Sequence, residues 1–220
     1  MRQICVILFG APGSGKGTQA KLLRESLGVA HISTGDMLRE RAAKGDDLGR
    51  LAEAIMKSGA LVPDEIVNRM VEDRIAQPDC AAGFMLDGYP RTVNQAKLLM
   101  TLLRARGIDA WVVNLKVDYN VIISRISGRR ECPLCGTIYH VSSEGAICVK
   151  DGSVLTGRAD DRPEVVEERL RAFEQQTTPV LEFLRSAGNA VYDVDAQGAP
   201  ESIARSIVAW IGTQRAGAGN

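Results

Sequence analysis

A glycine-rich segment near the N terminus has the residue types and the spacing of a phosphate-binding loop. It reads Gly-Ala-Pro-Gly-Ser-Gly-Lys over residues 10–16. Glycines let successive backbone N–H groups converge on phosphate oxygens, the following helix adds the partial positive charge of its N terminus, and Lys16 can reach the terminal phosphates. The alternative is a turn that merely contains three glycines, which the flanking elements described below disfavour.

The residue after Lys16 departs from the general form of this loop. A hydroxyl that binds Mg²⁺ is typical at that position, but Gly17 stands there and Thr18 follows one residue later. We therefore expect a magnesium ion not to be bound by this loop in the general way. Asp87 is a candidate to orient water on the ion, because it ends a strand of buried type, where open α/β sheets place their ligands. Its alternative role as a cap is disfavoured, since it precedes the helix that starts near Thr92 by too many residues.

Three cysteines and one aspartate have the spacing of a structural zinc site. Cys132 and Cys135 are separated by two residues, twelve residues follow, and Cys148 and Asp151 repeat the two-residue gap. Two such pairs offer four ligands to one tetrahedral Zn²⁺, and a set closed by four side chains is typical of structural zinc. The alternatives are His140 as the fourth ligand, a water molecule that completes a Cys₃ site, or reduced thiols without metal.

The elements that must position these residues alternate between strand and helix. Apolar runs predict strands, and helical periodicity predicts the helices that follow them. The strands are 3–9, 84–87, 110–117 and 190–194, and the helices are 16–27, 93–105, a helix opened by Asp118 as N-cap, 163–187 and 200–211. This alternation is typical of an α/β fold whose parallel sheet is covered by helices on both faces.

Two segments interrupt this alternation. Helical patterns at 36–43, 48–58 and 65–75 lie between the first two predicted strands and predict a helical subdomain. From 129 to 161 the apolar periodicity disappears and Cys, Gly, Ser and Tyr take over, which predicts a small irregular insertion.

The composition excludes several classes of protein. The chain has 220 residues, and 27 Lys and Arg balance 27 Asp and Glu, so its formal charge is zero. This opposes general binding to nucleic acids or anionic membranes. The early apolar run at 4–9 is too short for a membrane span or a secretory signal, and five cysteines do not suit a disulfide framework. We therefore expect a cytoplasmic protein.

The order and content of five motifs resemble the nucleoside monophosphate kinases, and among them the adenylate kinases. The motifs are Gly-Ala-Pro-Gly-Ser-Gly-Lys-Gly-Thr at 10–18, His-Ile-Ser-Thr-Gly-Asp-Met-Leu-Arg at 31–39, Gly-Phe-Met-Leu-Asp-Gly-Tyr-Pro-Arg at 83–91 with Gln95, Gly-Arg-Arg at 128–130 and Arg-Ala-Asp-Asp at 158–161. The resemblance covers residues 2–198. It implies a P-loop parallel five-stranded sheet flanked by helices, with a core domain formed by 1–32, 63–127 and 163–213. It further implies a helical AMP-binding segment at 33–62, a small zinc-binding LID at 128–162 and a flexible tail at 214–220.

The resemblance also implies which residues bind the first nucleotide, ATP. Lys16 and Arg129 would contact its phosphates and the transferring group, and Arg125 would lie against its adenine. Arginine suits such contacts because its planar fork binds phosphate at two points and keeps its charge at neutral pH. The implied ATP-binding set is Gly13, Ser14, Gly15, Lys16, Gly17, Thr18, Arg125, Arg129, Gln197 and Gly198.

A second set is implied for AMP. Arg39 and Arg91 would hold its phosphate, while Arg158 and Arg169 would close over the reacting centre. An amide can pair with the amino edge of adenine, so Thr34 and Gln95 carry the assignment of AMP in particular. The implied AMP-binding set is Thr34, Arg39, Leu61, Val62, Gly88, Arg91, Gln95, Arg158 and Arg169, and the catalytic set is Lys16, Asp87, Arg91, Arg129, Arg158 and Arg169.

The implied function is a reversible, Mg²⁺-dependent transfer of the terminal phosphoryl group of ATP to AMP, giving two ADP. We expect a monomer with structural Zn²⁺ that binds neither nucleic acid nor membranes. Family members with a long LID carry four cysteines, or three and an aspartate, as metal ligands, which this sequence resembles. The alternatives are a related kinase with GTP or a pyrimidine monophosphate as substrate, a zinc-finger protein that binds nucleic acid, and a nucleotide-binding regulator without turnover.

Overall fold

A computed structural model of the chain describes residues 3–141 and 145–217. Within these residues the chain forms seven strands and nine α-helices. In chain order the strands are β1 (Ile4–Phe9), β2 (Ala30–Ser33), β3 (Phe84–Asp87), β4 (Asp109–Lys116), β5 (Arg129–Glu131), β6 (Ile138–His140) and β7 (Ala190–Asp195). The helices are α1 (Lys16–Leu27), α2 (Thr34–Ala43), α3 (Asp47–Ser58), α4 (Asp64–Ile75), α5 (Val93–Ala105), α6 (Tyr119–Ser127), α7 (Pro163–Ala172), α8 (Thr178–Ser186) and α9 (Pro200–Gly217).

Five strands form one parallel sheet in the order β2-β3-β1-β4-β7. The central strand β1 is buried on both faces: Cys5, Ile7 and Phe9 pack into one hydrophobic cluster, and Ile4, Val6 and Leu8 pack into another on the opposite face. Such an uninterrupted apolar strand is typical of a parallel sheet between two layers of helices. The predicted α/β fold with a five-stranded parallel sheet is confirmed.

The structure differs from the pattern-based boundaries at three places. The short strand β2 was not predicted from periodicity, because it has only four residues and two of them, His31 and Ser33, are polar. The helix predicted over 163–187 is divided by a π-helical turn at Phe173–Thr177, between α7 and α8. Helix α9 continues to Gly217, so residues 214–217 of the predicted flexible tail are helical, and 218–220 lie outside the described residues.

The cap of helix α5 fixes the start of that helix close to the predicted site residues. The hydroxyl of Thr92 accepts a hydrogen bond from the backbone N–H of Gln95, so Thr92 and not Asp87 caps α5. Asp118 occupies the N-cap position of α6 as predicted, although its side chain makes no capping hydrogen bond. The side chain of Asp87 therefore remains available to the site at the end of β3.

The described part of the predicted LID at 128–162 contains a small antiparallel pair of strands. β5 pairs with β6, and the backbones of Glu131 and Thr156 exchange hydrogen bonds of 2.8 and 2.9 Å at its base. The LID contacts the core where Nζ of Lys21 in α1 donates to the carbonyl of Gly136 at 2.9 Å. Within the described part of the predicted insertion, β5 and β6 thus pair with each other and not with the five-stranded sheet.

Among residues 3–141 and 145–217, no helix combines the length and the apolar character that crossing a bilayer requires.

Candidate functional site

The glycine-rich loop joins β1 to α1 and has the backbone of an anion-binding loop. Gly10, Gly13 and Gly15 have φ of 146°, 79° and 98°, a region that residues with a Cβ rarely adopt. A Cβ at Gly10 would also lie 2.9 Å from the carbonyl oxygen of Leu115. Ser14 Oγ is buried and has no hydrogen-bond partner among the described residues. The loop thus has backbone N–H groups and a hydroxyl to offer to a phosphate.

Lys16 lies at the start of α1, with its ammonium group held by the same loop. Its Nζ donates to the carbonyls of Gly10 at 2.7 Å and Ala11 at 3.0 Å, which leaves a third N–H for a ligand. Burial lowers the pKa of Lys16 to about 8; nearby Arg91 adds to this effect and Asp87 opposes it. A polyphosphate in the loop would supply the negative charge that this ammonium group lacks.

Five arginines converge with Lys16 on one cleft of about 710 Å³. The cleft opens where β1 and β3 end, and the phosphate loop, both insertions and the start of α9 line it. The arginines come from five separate elements of the sequence and are Arg39, Arg91, Arg129, Arg158 and Arg169; Arg125 also lines the cleft. So many cations around one space match a ligand with several phosphates, whose charge they would neutralise.

Carboxylates hold four of these arginines in place, and one of the four pairs is Arg39 with Asp36 of the same helix. Both oxygens of Asp161 bond the guanidinium of Arg129, the carboxylate of Glu131 accepts from Arg158 at 2.6 and 3.0 Å, and Asp160 lies 2.8 Å from Arg169. Burial also lowers the pKa of Arg169 to about 10. The carboxylates therefore fix the positions of these cations.

Sequence reasoning assigned no role to these carboxylates. Asp160 and Asp161 belong to the Arg-Ala-Asp-Asp motif, so their position beside Arg158 was a signal that could have found them. Glu131 follows the Arg129-Arg130 pair, but the sequence does not show that it faces Arg158, which is 27 residues away.

A narrower pocket of about 70 Å³ adjoins the cleft, and all of the predicted AMP-binding residues line it except Arg158, which lines the cleft. Its apolar walls include Leu61 and Val62, and its polar groups come from Thr34, Arg91 and Gln95. Thr34 Oγ1 donates to the carbonyl of Gly88 at 2.9 Å, and Nε of Arg91 donates to the same carbonyl at 2.7 Å. Burial lowers the pKa of Arg91. The pocket thus combines apolar walls with a cation, Arg91, that also lines the cleft.

Asp87 lies between this pocket and the phosphate loop. A Cβ built on Gly17 would be 3.7 Å from Oδ2 of Asp87, so the carboxylate faces the position where the general loop has its hydroxyl. His31, in the neighbouring strand β2, approaches the same oxygen to 3.6 Å. A carboxylate oxygen here is the donor type that Mg²⁺ prefers.

The structure brings nearly all of the predicted nucleotide-binding residues to the two adjoining cavities. Arg125 connects the loop to the C-terminal part of the chain, because it donates to the carbonyls of Ser14 at 3.2 Å and Ala196 at 2.8 Å. Gly198 lines the cleft, and Thr18 lines it although it is exposed. Gln197 is exposed and does not line either cavity, so its role in binding ATP stays a prediction.

The cysteine cluster in the LID forms a second candidate site. One ligand atom from each of Cys132, Cys135, Cys148 and Asp151 lies within 4.8 Å of all the others, so the set could hold a metal ion. The sulfurs of Cys135 and Cys148 are 3.6 Å apart, and Cys132 Sγ is 3.2 Å from Oδ2 of Asp151. All five cysteines of the chain are free thiols.

His140 lies outside the cluster. Its Nε2 is 3.0 Å from the carbonyl oxygen of Ser124 at the end of α6, where the ring packs against Gly128. The geometry therefore favours Asp151 over His140 as the fourth ligand.

Comparison with known proteins agrees with this site. The model of the family described as adenylate kinase matches residues 8–189. Curated adenylate kinases include one from Anaeromyxobacter dehalogenans strain 2CP-1, which is 47% identical over 204 residues that cover 90% of this chain and 94% of the relative. One from Archaeoglobus fulgidus is 45% identical over 210 residues, or 93% and 96% of the two chains. One from Thermoanaerobacter sp. strain X514 is 43% identical over 207 residues, or 92% and 95%.

These matches run from the end of β1 through the phosphate loop, the arginine-lined cleft and the LID. They support transfer of phosphoryl groups between nucleotides as the activity, and the cysteine cluster fits a zinc-binding LID. With likeness of this extent, this chain belongs to the adenylate kinase family.

Proposed function

We propose that the protein transfers the terminal phosphoryl group of ATP to AMP, reversibly and with Mg²⁺, giving two ADP. The observation that carries this proposal is the arrangement of two cavities around shared cations: a phosphate loop with Lys16 on one side and the narrow pocket with Arg91 on the other. Phosphoryl transfer needs positioned positive charge and exclusion of water more than it needs covalent chemistry by the protein. This cleft provides the charge.

In the proposed complex the phosphate loop and Lys16 hold the phosphates of ATP. Arg125 already packs against the loop and would lie near the adenine, while Arg129 reaches the group in transfer. Phosphates would take the place of Asp161 as the partner of Arg129, since an arginine fork binds phosphate and carboxylate alike. The same exchange would bring Arg158 and Arg169 onto the reacting centre.

On the acceptor side, Arg39 and Arg91 would hold the phosphate of AMP. The adenine would enter the narrow pocket, between Leu61 and Val62 and next to Thr34 and Gln95. Guanidinium groups on both sides of the transferred phosphoryl group would stabilise charge that develops during transfer. Asp87 would hold Mg²⁺ through ordered water, and the ion would supply positive charge that neutralises the phosphates.

The proposed substrates can be tested with a coupled assay of ADP formation. ATP and GTP are each paired with AMP, GMP, CMP and UMP, with and without Mg²⁺. We expect the combination of ATP and AMP to be fastest, and activity to disappear when the divalent cation is removed. A faster reaction with a pyrimidine monophosphate would assign the protein a different substrate within the same chemistry.

The number of protons taken up when MgATP binds should reveal the protonation state of Lys16. Because its pKa is about 8 in the ligand-free protein, about half of these side chains lack a proton at pH 8. Phosphates in the loop would raise the pKa, so binding of MgATP at pH 8 should take up about 0.5 proton and at pH 6 almost none. The affinity for MgATP should accordingly fall as the pH rises above 8.

Calorimetry in two buffers with different ionisation enthalpies measures this uptake. The variant Lys16→Met is the control, because it removes the titrating group and should remove the uptake at pH 8. An equal uptake in the variant and the parent would show that another group takes up the proton.

We also propose that the LID cluster binds one structural Zn²⁺. Tetrahedral Zn²⁺ with Zn–S bonds near 2.3 Å places two sulfurs about 3.8 Å apart, close to the 3.6 Å between Cys135 and Cys148. Three thiols and one carboxylate would fill all four positions of a tetrahedral Zn²⁺, so no position would remain for a substrate. Zinc bound here would stabilise the LID, which has a hydrophobic cluster of only a few residues around Leu155.

The ligand assignment gives a direct prediction. Elemental analysis should find about one zinc per chain, and Asp151→Ala should weaken binding while His140→Ala leaves the stoichiometry unchanged. Chelation should lower the midpoint of thermal unfolding, because the binding free energy of this metal is part of the folding free energy. Loss of zinc in His140→Ala but not in Asp151→Ala would show that the assignment is wrong.

We further propose that the protein is a cytoplasmic monomer that binds neither nucleic acid nor membranes. Free thiols at all five cysteines suit a reducing compartment, and the zero net charge gives no basis for attraction to polyanions. Light scattering at the concentrations of the assay would measure the oligomeric state directly.

A further inference from the structure

The side-chain amide of Gln95 is held at both of its ends. Its Oε1 accepts a hydrogen bond of 2.7 Å from the backbone N–H of Arg91, and its Nε2 donates one of 2.8 Å to Oδ1 of Asp64. Gln95 is buried, with 2% of its surface exposed, and it lines the narrow pocket. The amide therefore meets this pocket in an orientation fixed by two partners.

These partners admit only one orientation. A backbone N–H can only donate, so it requires the oxygen of the amide; a carboxylate accepts, so it requires the nitrogen. Turning the amide by 180° would set Nε2 against the N–H of Arg91 and Oε1 against the carboxylate of Asp64. Two hydrogen bonds of a buried amide would become two repulsive contacts.

Asp64 is itself well anchored. It occupies the first turn of α4, and its second oxygen, Oδ2, accepts a hydrogen bond of 2.8 Å from Oγ1 of Thr92. Thr92 is the residue that caps α5. The carboxylate thus connects the starts of two helices, and the amide it orients lies one turn into the second of them.

Each end of the amide retains one bonding position: the second N–H of Nε2 and the second lone pair of Oε1. On its pairing edge, adenine presents N1 as an acceptor and the 6-amino group as a donor. Hypoxanthine and guanine present N1–H as a donor and O6 as an acceptor, which is the reverse. The orientation that Asp64 and the backbone N–H of Arg91 together impose on Gln95 complements adenine, whereas a 6-oxopurine would require the opposite orientation of the amide.

We propose that Asp64 is a positioning residue that determines the choice of acceptor base, because it locks the amide of Gln95 in the orientation that reads a 6-aminopurine. The inference rests on the proposed function, in which this pocket receives the base of the acceptor nucleotide. Selectivity then depends on a residue that itself need not touch the nucleotide. A pocket that must leave polar groups unpaired when it binds the wrong base discriminates strongly against that base.

The test uses the full-length protein and Asp64→Asn. Asparagine has nearly the same shape as aspartate, but its amide can either donate to Gln95 or accept from it. Residue 64 then no longer excludes the reversed orientation of Gln95, and only the backbone N–H of Arg91 still opposes it. IMP is the probe, because its base differs from that of AMP only in presenting a donor at N1 and an acceptor at position 6, where adenine presents an acceptor and a donor. We expect the ratio of kcat/KM for AMP to kcat/KM for IMP to fall about tenfold in Asp64→Asn, the effect of one or two neutral hydrogen bonds. The kcat/KM for IMP should rise in absolute terms.

Glu65→Gln is the matched control. It removes a negative charge from the same turn of α4, but Glu65 is exposed and makes no contact with the amide among the described hydrogen bonds. The AMP to IMP ratio should stay at the parental value in this variant. Damage to the fold would lower both activities alike, so it would not produce the selective gain with IMP.

Two outcomes would overturn the inference: an unchanged ratio in Asp64→Asn, or an equal fall in Glu65→Gln. Equilibrium binding of AMP and IMP, measured by calorimetry without ATP, separates this failure from that of the proposed function. If the parent protein turns over neither nucleotide but binds AMP over IMP in a manner that depends on Asp64, the proposed reaction fails and the inference stands. If it turns over AMP and Asp64→Asn changes neither turnover nor binding selectivity, only the inference fails.

Discussion

Replacing Arg91 by alanine should lower kcat/KM for AMP by about 10²-fold or more while the protein stays folded. A loss of this size corresponds to about 2.7 kcal/mol of transition-state stabilisation, typical of one preorganised charge contact in a closed site. The Arg91 side chain is fixed by its bond to the carbonyl of Gly88 and lies where the narrow pocket meets the cleft. Alanine keeps the backbone N–H that orients Gln95, so the change removes the cation and leaves the base pocket in place.

Initial rates at varied AMP and saturating MgATP measure this loss, and thermal unfolding checks the fold. Arg171→Ala is the matched control, because Arg171 is exposed on α7, pairs with Glu167 and Glu168, and lines neither cavity. Its kcat/KM should stay near the parental value. Activity within twofold of the parent in Arg91→Ala would refute the placement of the acceptor phosphate.

A dinucleotide that joins two adenosines through five phosphates should bind at least about 10²-fold more tightly than ATP or AMP alone. The loop that would hold one nucleotide and the pocket that would hold the other line adjoining cavities, with Arg39, Arg91 and Arg169 shared between them. Tethering the two ligands makes the second contact intramolecular, which raises affinity without any new contact. The five phosphates would also meet all the convergent arginines at once.

Calorimetry of the three ligands decides this prediction. Lys16→Met and Arg91→Ala are informative variants, because each weakens one half of the site and should bring the affinity of the dinucleotide closer to that of a single nucleotide. The stoichiometry should be one dinucleotide per chain. Equal affinities for the dinucleotide and for ATP would mean that only one of the two cavities binds a nucleotide.

Sequence patterns predicted the strands and helices that have a strong apolar period. They did not predict the elements whose conformation depends on contacts with distant parts of the chain. Strand β1 and helix α1 were predicted closely, because a buried apolar run, a glycine loop and a helical period follow one another there. Strand β2 is set by its pairing with β3, with His31 beside Met85, and not by its own composition. The π-helical turn at Phe173–Thr177 is likewise unsignalled by periodicity, although Thr177 reaches across to the carbonyl of Arg91 at 3.0 Å.

The candidate site likewise contains some features that follow from local sequence patterns and others that depend on contacts between residues far apart in the sequence. Glycine spacing and paired cysteine gaps are local patterns in the sequence. In the structure the glycines form one loop between β1 and α1, and the three cysteines and Asp151 form one separate cluster. The orientation of Gln95 depends on Asp64, which is 31 residues away, and nothing in the sequence relates the two. Similarly, a motif can suggest that Arg129 meets a phosphate, but only the fold shows that Asp161 holds it beforehand.

The base of the LID has a consequence for how such proteins can diversify. The chain leaves the core after α6 and returns before α7, and the two crossings are joined where Glu131 and Thr156 exchange backbone hydrogen bonds. Insertions whose ends lie side by side are tolerated, because the surrounding domain closes in the same way whatever lies between them. The intervening stretch can therefore gain or lose residues, or exchange its cysteine cluster for apolar packing, while the sheet and its phosphate loop keep their register. Natural variation in length and in the residues of this cluster should accumulate beyond this pair of residues, and chimaeras joined at it should fold.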